Sequence, residues 1–482
     1  MNRRSAKIIA VDIGTSRIKA AAFDETGAMS GLESLRLDRA ASPDSQSADQ
    51  WADASFRLLR TVSERIGQPD AIVLTGNMHA LLGVDPNGVP TAPAELWSSG
   101  AARDESEELN ELFGDVLPDR FGNRCIPAFT LPKLLRMKRL SPELYERSCK
   151  FLQSKDFVSL KLTGKMVTDP SDASGFFGFK PASGSWDTDF FRSLDLDPGK
   201  LPDVLPSASV CGYVTESAAA VSGVRSGTPV ITGSGDLASA ALGSGVDGKT
   251  VSLTLGTAGQ LLAEGPIGGG RLFSGRLFVF AHADPGKELY LGSVPAGGFS
   301  FEWLAKILDI PMDRFFRQAE SVRLSEKTPL FFPYILGRGA PSMDYTPCGG
   351  FLGLDALRTS QADLCRGAVF GALCPLRECL DLLEELVGRR DSIVLQALAC
   401  REKAVRETAG GLFLRQKAFL PDNSEASLLG AAILGFSALS RFPDVPAAVS
   451  AMVRKSPAAF PDDPVPERLY QRFREKARTL FG

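Results

Sequence analysis

The stretch Lys7–Phe23 reads KIIAVDIGTSRIKAAAF. Lys7–Val11 is an apolar strand candidate, and Ile18–Phe23 is a second, ended by Glu25-Thr26-Gly27. Between them stands Asp12-Ile13-Gly14-Thr15-Ser16, so the segment is expected to form a β-hairpin with a polar, glycine-containing tip. A unit of the same form stands downstream. Val251–Leu255 (VSLTL) leads into Gly256-Thr257-Ala258-Gly259, and Gln260–Ala263 continues as a strand. Asp12-Ile-Gly-Thr-Ser aligns with Thr254-Leu-Gly-Thr-Ala at an offset of about half the 482 residues. G-T dipeptides are common, so coincidence is the competing account. The matching flanking strands and the half-length offset favour two similar α/β domains.

The segment between the two units alternates strands and helices. Trp51–Ile66 has the pattern of an amphipathic helix, Ala71–Thr75 that of a buried strand, and Pro132–Leu140 and Pro142–Arg147 those of short helices. Val230–Thr232 is expected as a strand running into Gly233-Ser234-Gly235-Asp236. Further on, Gly297–Leu308 looks helical, and Gln361–Val387 is the clearest helix. Ser360 with Asp363 fits a capping box, and Leu364, Leu373, Leu376, Leu380, Leu383 and Val387 recur at three- or four-residue spacing. Pro375 should kink it. Ser427–Leu439 reads as an apolar helix in which Gly430 allows close packing. The domain boundary is placed near residue 245, in the glycine-rich stretch Gly243–Gly248, giving domains 1–245 and 246–482.

Composition narrows the function classes. Lys and Arg total 54 against 57 Asp and Glu, a formal charge of -3, which gives no electrostatic footprint for nucleic acid or anionic membrane. There is no run of 18 apolar residues, which argues against a membrane span. Arg3, Arg4 and Lys7 precede an apolar stretch that ends at Asp12, too short for a signal-peptide core. A cytoplasmic location is expected. The eight cysteines (125, 149, 211, 348, 365, 374, 379 and 400) contain no C-x-x-C pair and are expected as reduced thiols. With only His79 and His282, a poly-histidine transition-metal site is nearly excluded, so any metal is expected to be Mg²⁺ held by carboxylate and substrate oxygens.

Four short segments could carry chemistry. Gly14 lets the first tip turn sharply, and the N–H groups of Gly14, Thr15 and Ser16 can form an anion-binding concavity. Asp12 would repel a bare phosphate, so it makes sense there only with an intervening cation such as Mg²⁺; the plain alternative is an ordinary hairpin tip. The second tip, with Gly256 and Thr257, lacks the acid and offers backbone donors only. Two such tips on facing domains would grip a polyphosphate from both sides, although no G-x-x-x-x-G-K-[ST] loop is present. Asp236, held by glycines at a strand end, is well placed to take a proton from a hydroxyl attacking phosphorus. Its plain alternative, a helix N-cap, is the stronger on residue type alone. Thr75-Gly76-Asn77-Met78-His79-Ala80 follows a strand, where α/β folds bind small ligands; a lone histidine is otherwise first taken as structural.

Together these segments resemble the FGGY carbohydrate kinases, within the actin/Hsp70/sugar-kinase superfamily. AVDIGTSRIKAAAFD is similar to the family's first phosphate motif, and TGNMHALLGVD to the sugar-contacting segment of xylulose kinases. LTGKMVTDPSDAS (Leu162–Ser174) matches a further family segment, GSGDLASAALGSG resembles the one bearing the catalytic aspartate, and SLTLGTAGQL the second phosphate motif. PLFFPYILGRGAPSMD (Pro329–Asp344) and EASLLGAAILG (Glu425–Gly435) follow in order. The resemblance implies two ribonuclease-H-like (actin-like ATPase) domains around a central cleft, and ATP-dependent phosphorylation of a sugar or polyol. It implies Asp236 as catalytic base, Asp12 as the Mg²⁺ site, and Gly14, Thr15, Ser16, Gly256 and Thr257 on the nucleotide phosphates. Met78, His79 and Asp236 would contact the sugar. Xylulose is the first acceptor; Gly235-Asp236-Leu237 keeps sedoheptulose or another polyol open, as a homodimer is left open.

Several positions depart from the family. W-x-D-x-R reads Trp97-Ser98-Ser99-Gly100-Ala101, removing a charged pair from the sugar side. G-E-R-x-P reads Gly337-Arg338-Gly339-Ala340-Pro341, and the arginine expected after Asp344 is missing from Tyr345–Gly350. The adenosine-side glycine run reads Gln396-Ala397-Leu398, whose side chains should crowd the nucleoside. The departures raise two alternatives to the ketose kinase: a catalytically poor relative acting as a sugar- or nucleotide-binding module, and a kinase using another phosphoryl donor.

Overall fold

The computed structural model describes residues 7–38, 43–460 and 463–481. Arg3, Arg4 and the side chain of Cys400 lie outside the described residues. The first hairpin forms as expected. β1 (Ile8–Ile13) and β2 (Arg17–Phe23) pair antiparallel with Asp12 opposite Lys19, and β3 (Met29–Arg36) pairs with β2. On the other side of β1 lies the parallel strand β4 (Ala71–Gly76). Two further strands, β5 (Val210–Tyr213) and β6 (Pro229–Gly235), complete a six-stranded sheet in the order β5-β6-β4-β1-β2-β3.

β1 is apolar up to Asp12 because both its faces are covered. Ile9, Val11 and Ile13 pack with Trp51, Leu58 and Leu59 of α1 (Ala48–Ile66). Ile8 and Ala10 belong to the core on the opposite face, with residues of Asp236–Ser244 and Ala426–Ala438.

The second sheet repeats the plan. β7 (Thr250–Leu255) and β8 (Gly259–Pro266) form its hairpin, β9 (Phe278–Ala281) and β10 (Lys287–Val294) extend the antiparallel side, and β11 (Ser392–Ala397), β12 (Lys417–Pro421) and β13 (Lys455–Pro457) lie on the other. The order is β9-β10-β8-β7-β11-β12-β13, with β7, β11 and β12 mutually parallel. In each half a hairpin whose first strand pairs in parallel with a later strand occupies the sheet centre. That correspondence is the duplication the two G-T tips imply.

The helices that position the site are α2 (Thr130–Leu140), α3 (Ser154–Thr163), α4 (Pro170–Phe176), α5 (Asp236–Ser244), α6 (Phe299–Ile307), α7 (Gln361–Val387), α8 (Leu398–Arg401) and α9 (Ala426–Ala438). The capping box of α7 is formed by Ser360 and Asp363, and α7 is assigned as one helix through Pro375. No described helix is long and apolar enough to cross a membrane. The described cysteines 125, 149, 211, 348, 365, 374 and 379 are free thiols.

α9 comes from the second half of the chain yet packs on β1 and β4 of the first sheet and against α5. The approach to α5 is close enough to require glycine. A Cβ on Gly430 would overlap the Ser239 carbonyl, and one on Gly243 the Ala426 carbonyl. Gly430→Val is therefore expected to lower stability by roughly 3 kcal/mol through overpacking. The fall should be read as a lower urea midpoint at unchanged slope; a midpoint equal to the parent's would place the contact elsewhere.

Candidate active site between the two sheets

The carboxyl ends of β1, β4 and β6 converge, as the registers Ile13↔Gly76 and Gly235↔Gly76 show. A cavity of about 740 Å³ opens at this edge, lined by Asp12, Thr15, Met78, His79 and Asp236 from the first half, and by Thr254, Ala258 and Gln260 from the second. The two tips thus face one space. Gly14, Ser16, Gly256 and Thr257 stand beside these residues in the tips and are not themselves among its lining. The second tip is anchored from behind: Gly298 N–H donates to the Gly256 carbonyl at 2.7 Å and Phe299 N–H to that of Thr257 at 3.0 Å.

Asp236 reaches the cavity through a built irregularity. β6 shifts register against β4 between Ile231 and Ser234, with Gly233 at φ 70 and no room for a Cβ against the Leu74 carbonyl. Such bulges re-aim the chain next to sites. The helix cap is Gly235, so Asp236 is the first residue of α5 and not its N-cap, and its Oδ1 accepts the Leu237 N–H at 2.8 Å. Burial pushes its carboxyl up to about 6. Asp12 is pushed up to about 7, by burial first and by Asp236 next, with Lys19 opposing and Glu425 adding to the rise. Lys19 Nζ pairs with Glu425 Oε2 at 2.7 Å, joining β2 to the start of α9.

Behind Asp236, a buried cluster fixes the backbone. Lys155 Nζ lies 2.7 Å from Asp156, 3.0 Å from Asp169 and 3.1 Å from Asp172. Asp169 caps α4 and accepts from Ser171 Oγ, which in turn accepts the Gly235 N–H at 2.9 Å. A Cβ on Gly235 would fall 2.7 Å from Met78 Cγ, so Met78 rests on the strand end that carries Asp236.

His79 adopts φ 69. Its Nδ1–H donates to the Gly175 carbonyl at 2.7 Å, which leaves Nε2 as an acceptor. Its ring meets Phe129 edge-on at 5.2 Å and Phe280 at 5.7 Å. Burial, with Lys133 adding, pushes the imidazole down to about 4. Lys133 is fully buried and donates to the carbonyls of His79 (2.8 Å), Leu96 (2.7 Å) and Ala128 (2.8 Å), tying together three segments that border the cavity. Asn77 donates from Nδ2 to the Ile13 carbonyl at 2.8 Å, and its buried Oδ1 has no partner.

Some of these residues had a sequence signal and some had none. Lys19 follows from the predicted hairpin, which sets it across from Asp12, and Glu425 opens the quoted EASLLGAAILG segment. Nothing in a lone lysine of a helical stretch marks Lys133, and nothing in strand patterning marks Phe280. In the segment expected to face the nucleoside, Gln396 Nε2 donates to the hydroxyls of Ser244 and Ser252, the latter at 2.9 Å. Leu398 rests against Gly298, its Cδ1 3.2 Å from where a Cβ would stand.

Two halves of ribonuclease-H plan enclosing an acidic cavity are the architecture of the actin-like ATPase fold. Residues 7–243 match the model of the FGGY family of carbohydrate kinases, N-terminal domain. The chain belongs to that family. It is 29% identical to the xylulose kinase of Staphylococcus xylosus over 390 residues, covering 79% of this chain and 80% of that protein. It is 25% identical to the xylulose kinase of Bacillus subtilis (strain 168), covering 94% and 92%. A crystal structure described as a xyloylose kinase from Brucella ovis superposes with a TM-score of 0.89 at 24% identity over 98% of this chain and 99% of that one, a likeness of fold.

The two histidines should be readable separately by ¹⁵N NMR. His282 Nδ1 accepts the Asp284 N–H at 2.8 Å, the opposite tautomer to His79, and burial with Lys287 pushes it down to about 3. Both rings are expected to stay neutral at pH 5. The unfolded chain binds more protons between about pH 4 and 6.5, so their contribution to stability falls as pH falls through that window. An imidazolium signal from either ring at pH 6 in the folded protein would refute the assignment.

Proposed function

We propose that the chain transfers the γ-phosphoryl group of ATP to a hydroxyl of a sugar or polyol, with a ketose of the xylulose type as first acceptor. The observation that carries this is the position of Asp236, whose carboxylate opens α5 in the same cavity as Asp12 and Thr15 of the first tip and Thr254 and Ala258 of the second. The names of the relatives and the Asn77-Met78-His79 segment support the ketose. The units 1–245 and 246–482, apart from α9, which stays packed on the first sheet, would close over the cavity and exclude water from the reaction.

In this mechanism the acceptor oxygen attacks the γ-phosphorus as its proton passes to the Asp236 carboxylate. The bond from that phosphorus to the β-bridging oxygen breaks, and ADP leaves with the electron pair. A carboxyl near 6 is ionised at neutral pH and is a stronger base than an ordinary aspartate. The backbone N–H groups at Gly14, Thr15 and Ser16 on one side, and at Gly256 and Thr257 on the other, would hold the phosphates. Met78 shapes the acceptor pocket, and His79 Nε2 accepts a hydrogen bond from an acceptor hydroxyl.

Mg²⁺ fits beside Asp12. That carboxylate lies among Asp236 and Glu425 with only Lys19 in opposition, an environment that favours an added cation. The ion would be held by this one carboxylate, waters and substrate phosphates. When bound, the ion would neutralise charge on the donor phosphates.

Asp236→Asn is expected to lower kcat by roughly 10³-fold while leaving sugar and nucleotide binding measurable by calorimetry. Retained turnover would remove Asp236 as the base, and binding without turnover in the parent protein would favour a binding module. Chelation with EDTA should abolish ADP release and added Mg²⁺ should restore it, with Asp12→Asn shifting the half-saturating Mg²⁺ upward by roughly tenfold or more. Turnover unaffected by EDTA would exclude the metal.

A further inference from the structure

The walls of the cavity divide by chemistry. Its charged lining residues are Asp12, Lys19, Asp236 and Glu425; Lys19 stands across the hairpin from Asp12 and pairs with Glu425 at 2.7 Å, and the other three all act on the Asp12 carboxyl. Around His79 the lining is different: Ile126, Phe129, Phe278, Phe280 and Leu291, with Leu237 beside Asp236. Phe278 and Phe280 stack at 6.3 Å, and Phe280 and Phe129 both contact the His79 ring. Several donors bordering this end are already engaged, which leaves His79 Nε2 and Asn77 Oδ1 as acceptors. His79 Nδ1 is bound to Gly175, Asn77 Nδ2 to Ile13, and Trp97 Nε1 to Thr15 Oγ1 at 3.1 Å. Ser99 Oγ, where the family pattern has an acid, donates to Glu95 Oε1 at 2.6 Å.

We infer that the acceptor is a neutral, partly deoxygenated sugar, with a methyl or methylene end lying among Phe129, Phe278, Phe280 and Leu291 while its opposite end presents the hydroxyl to Asp236. This deepens, and rests on, the phosphoryl-transfer reading above. A fully hydroxylated ketose brings a hydroxyl on nearly every carbon. Those placed against the aromatic wall lose water without gaining a partner, a cost of roughly ten- to a hundredfold in kcat/KM. A sugar acid fares worse, because no cationic side chain among the described residues lines the aromatic end to meet its carboxylate.

The test compares initial rates of ADP release by the full-length protein, with ATP and Mg²⁺, on xylulose, 1-deoxyxylulose and gluconate. The deoxy ketose is expected to exceed xylulose by roughly tenfold or more in kcat/KM, with gluconate below both. Phe280→Gln adds an amide to the wall and should bring the two ketoses toward parity by improving xylulose. Equal or faster turnover of xylulose by the parent protein would overturn the inference and leave the kinase reading standing. The absence of ADP release with these and with a wider panel of ketoses and polyols would overturn both.

Discussion

The close crossing of α5 and α9 is the constraint on which the site depends. Gly243 near the end of α5 meets Ala426 at the start of α9, and Gly430 meets Ser239, so the two helices pass in opposite directions while Asp236 and Glu425 both line the cavity. α9 belongs in sequence to the second half but packs on the first sheet, so the chain of the second half returns to the first. One continuous core runs from Ile8 and Ala10 through α5 and α9 to Leu262, Phe280 and Leu291. The cavity is bounded by that core, so its two chemically different ends are set by packing and not by loops alone.

Electrostatics then decides what the polar end can hold. Three carboxylates and one ammonium leave an excess of negative charge, and burial raises its cost. Asp12 stands near 7 for that reason. A phosphate chain alone would add to the repulsion; a divalent cation beside Asp12 would reverse it. The Lys19–Glu425 pair holds part of the balance in the meantime. At the other end Lys133 does the opposite work. Its ammonium meets only backbone carbonyls at hydrogen-bond distance, and burial, against the pull of Glu95 and Asp44, brings it down to about 7. It orders three segments without presenting charge to the cavity.

The parts of this arrangement legible in the sequence are those with local periodicity or special backbone needs. The hairpin tips, the buried strand before Asn77 and the capped helix from Gln361 were all readable, and so was the use of Gly430 for close packing. Asp236 was legible as a residue at a strand end, but not its place within the helix, because Asp is equally at home at a cap and Gly235 takes that position instead. The aromatic wall was not legible. Phe129 comes from the entry to one helix and Phe278 and Phe280 from an edge strand far downstream, and only the long-range packing of the halves brings them to His79. Lys133 escaped for the same reason: its partners are carbonyls, which any sequence supplies.

The segment Gln396-Ala397-Leu398 shows how a departure from family pattern can be absorbed. Ala397 stands at φ 55, ψ -131 where a glycine run was expected, a conformation that costs a residue with a Cβ of order 1–3 kcal/mol. Its neighbour Gln396 braces the segment by bonding Ser244 at the end of α5 and Ser252 in β7. Leu255 pairs with Ala397 in register, and Leu398 lies over Gly298, whose N–H holds the second tip through the Gly256 carbonyl. The side chains that replace glycine therefore do not hang into the cavity as free bulk. They tie the second tip, the end of the helix that carries Asp236 and this segment into one unit. Any donor that binds there must meet a surface whose backbone freedom has been exchanged for fixed hydrogen bonds.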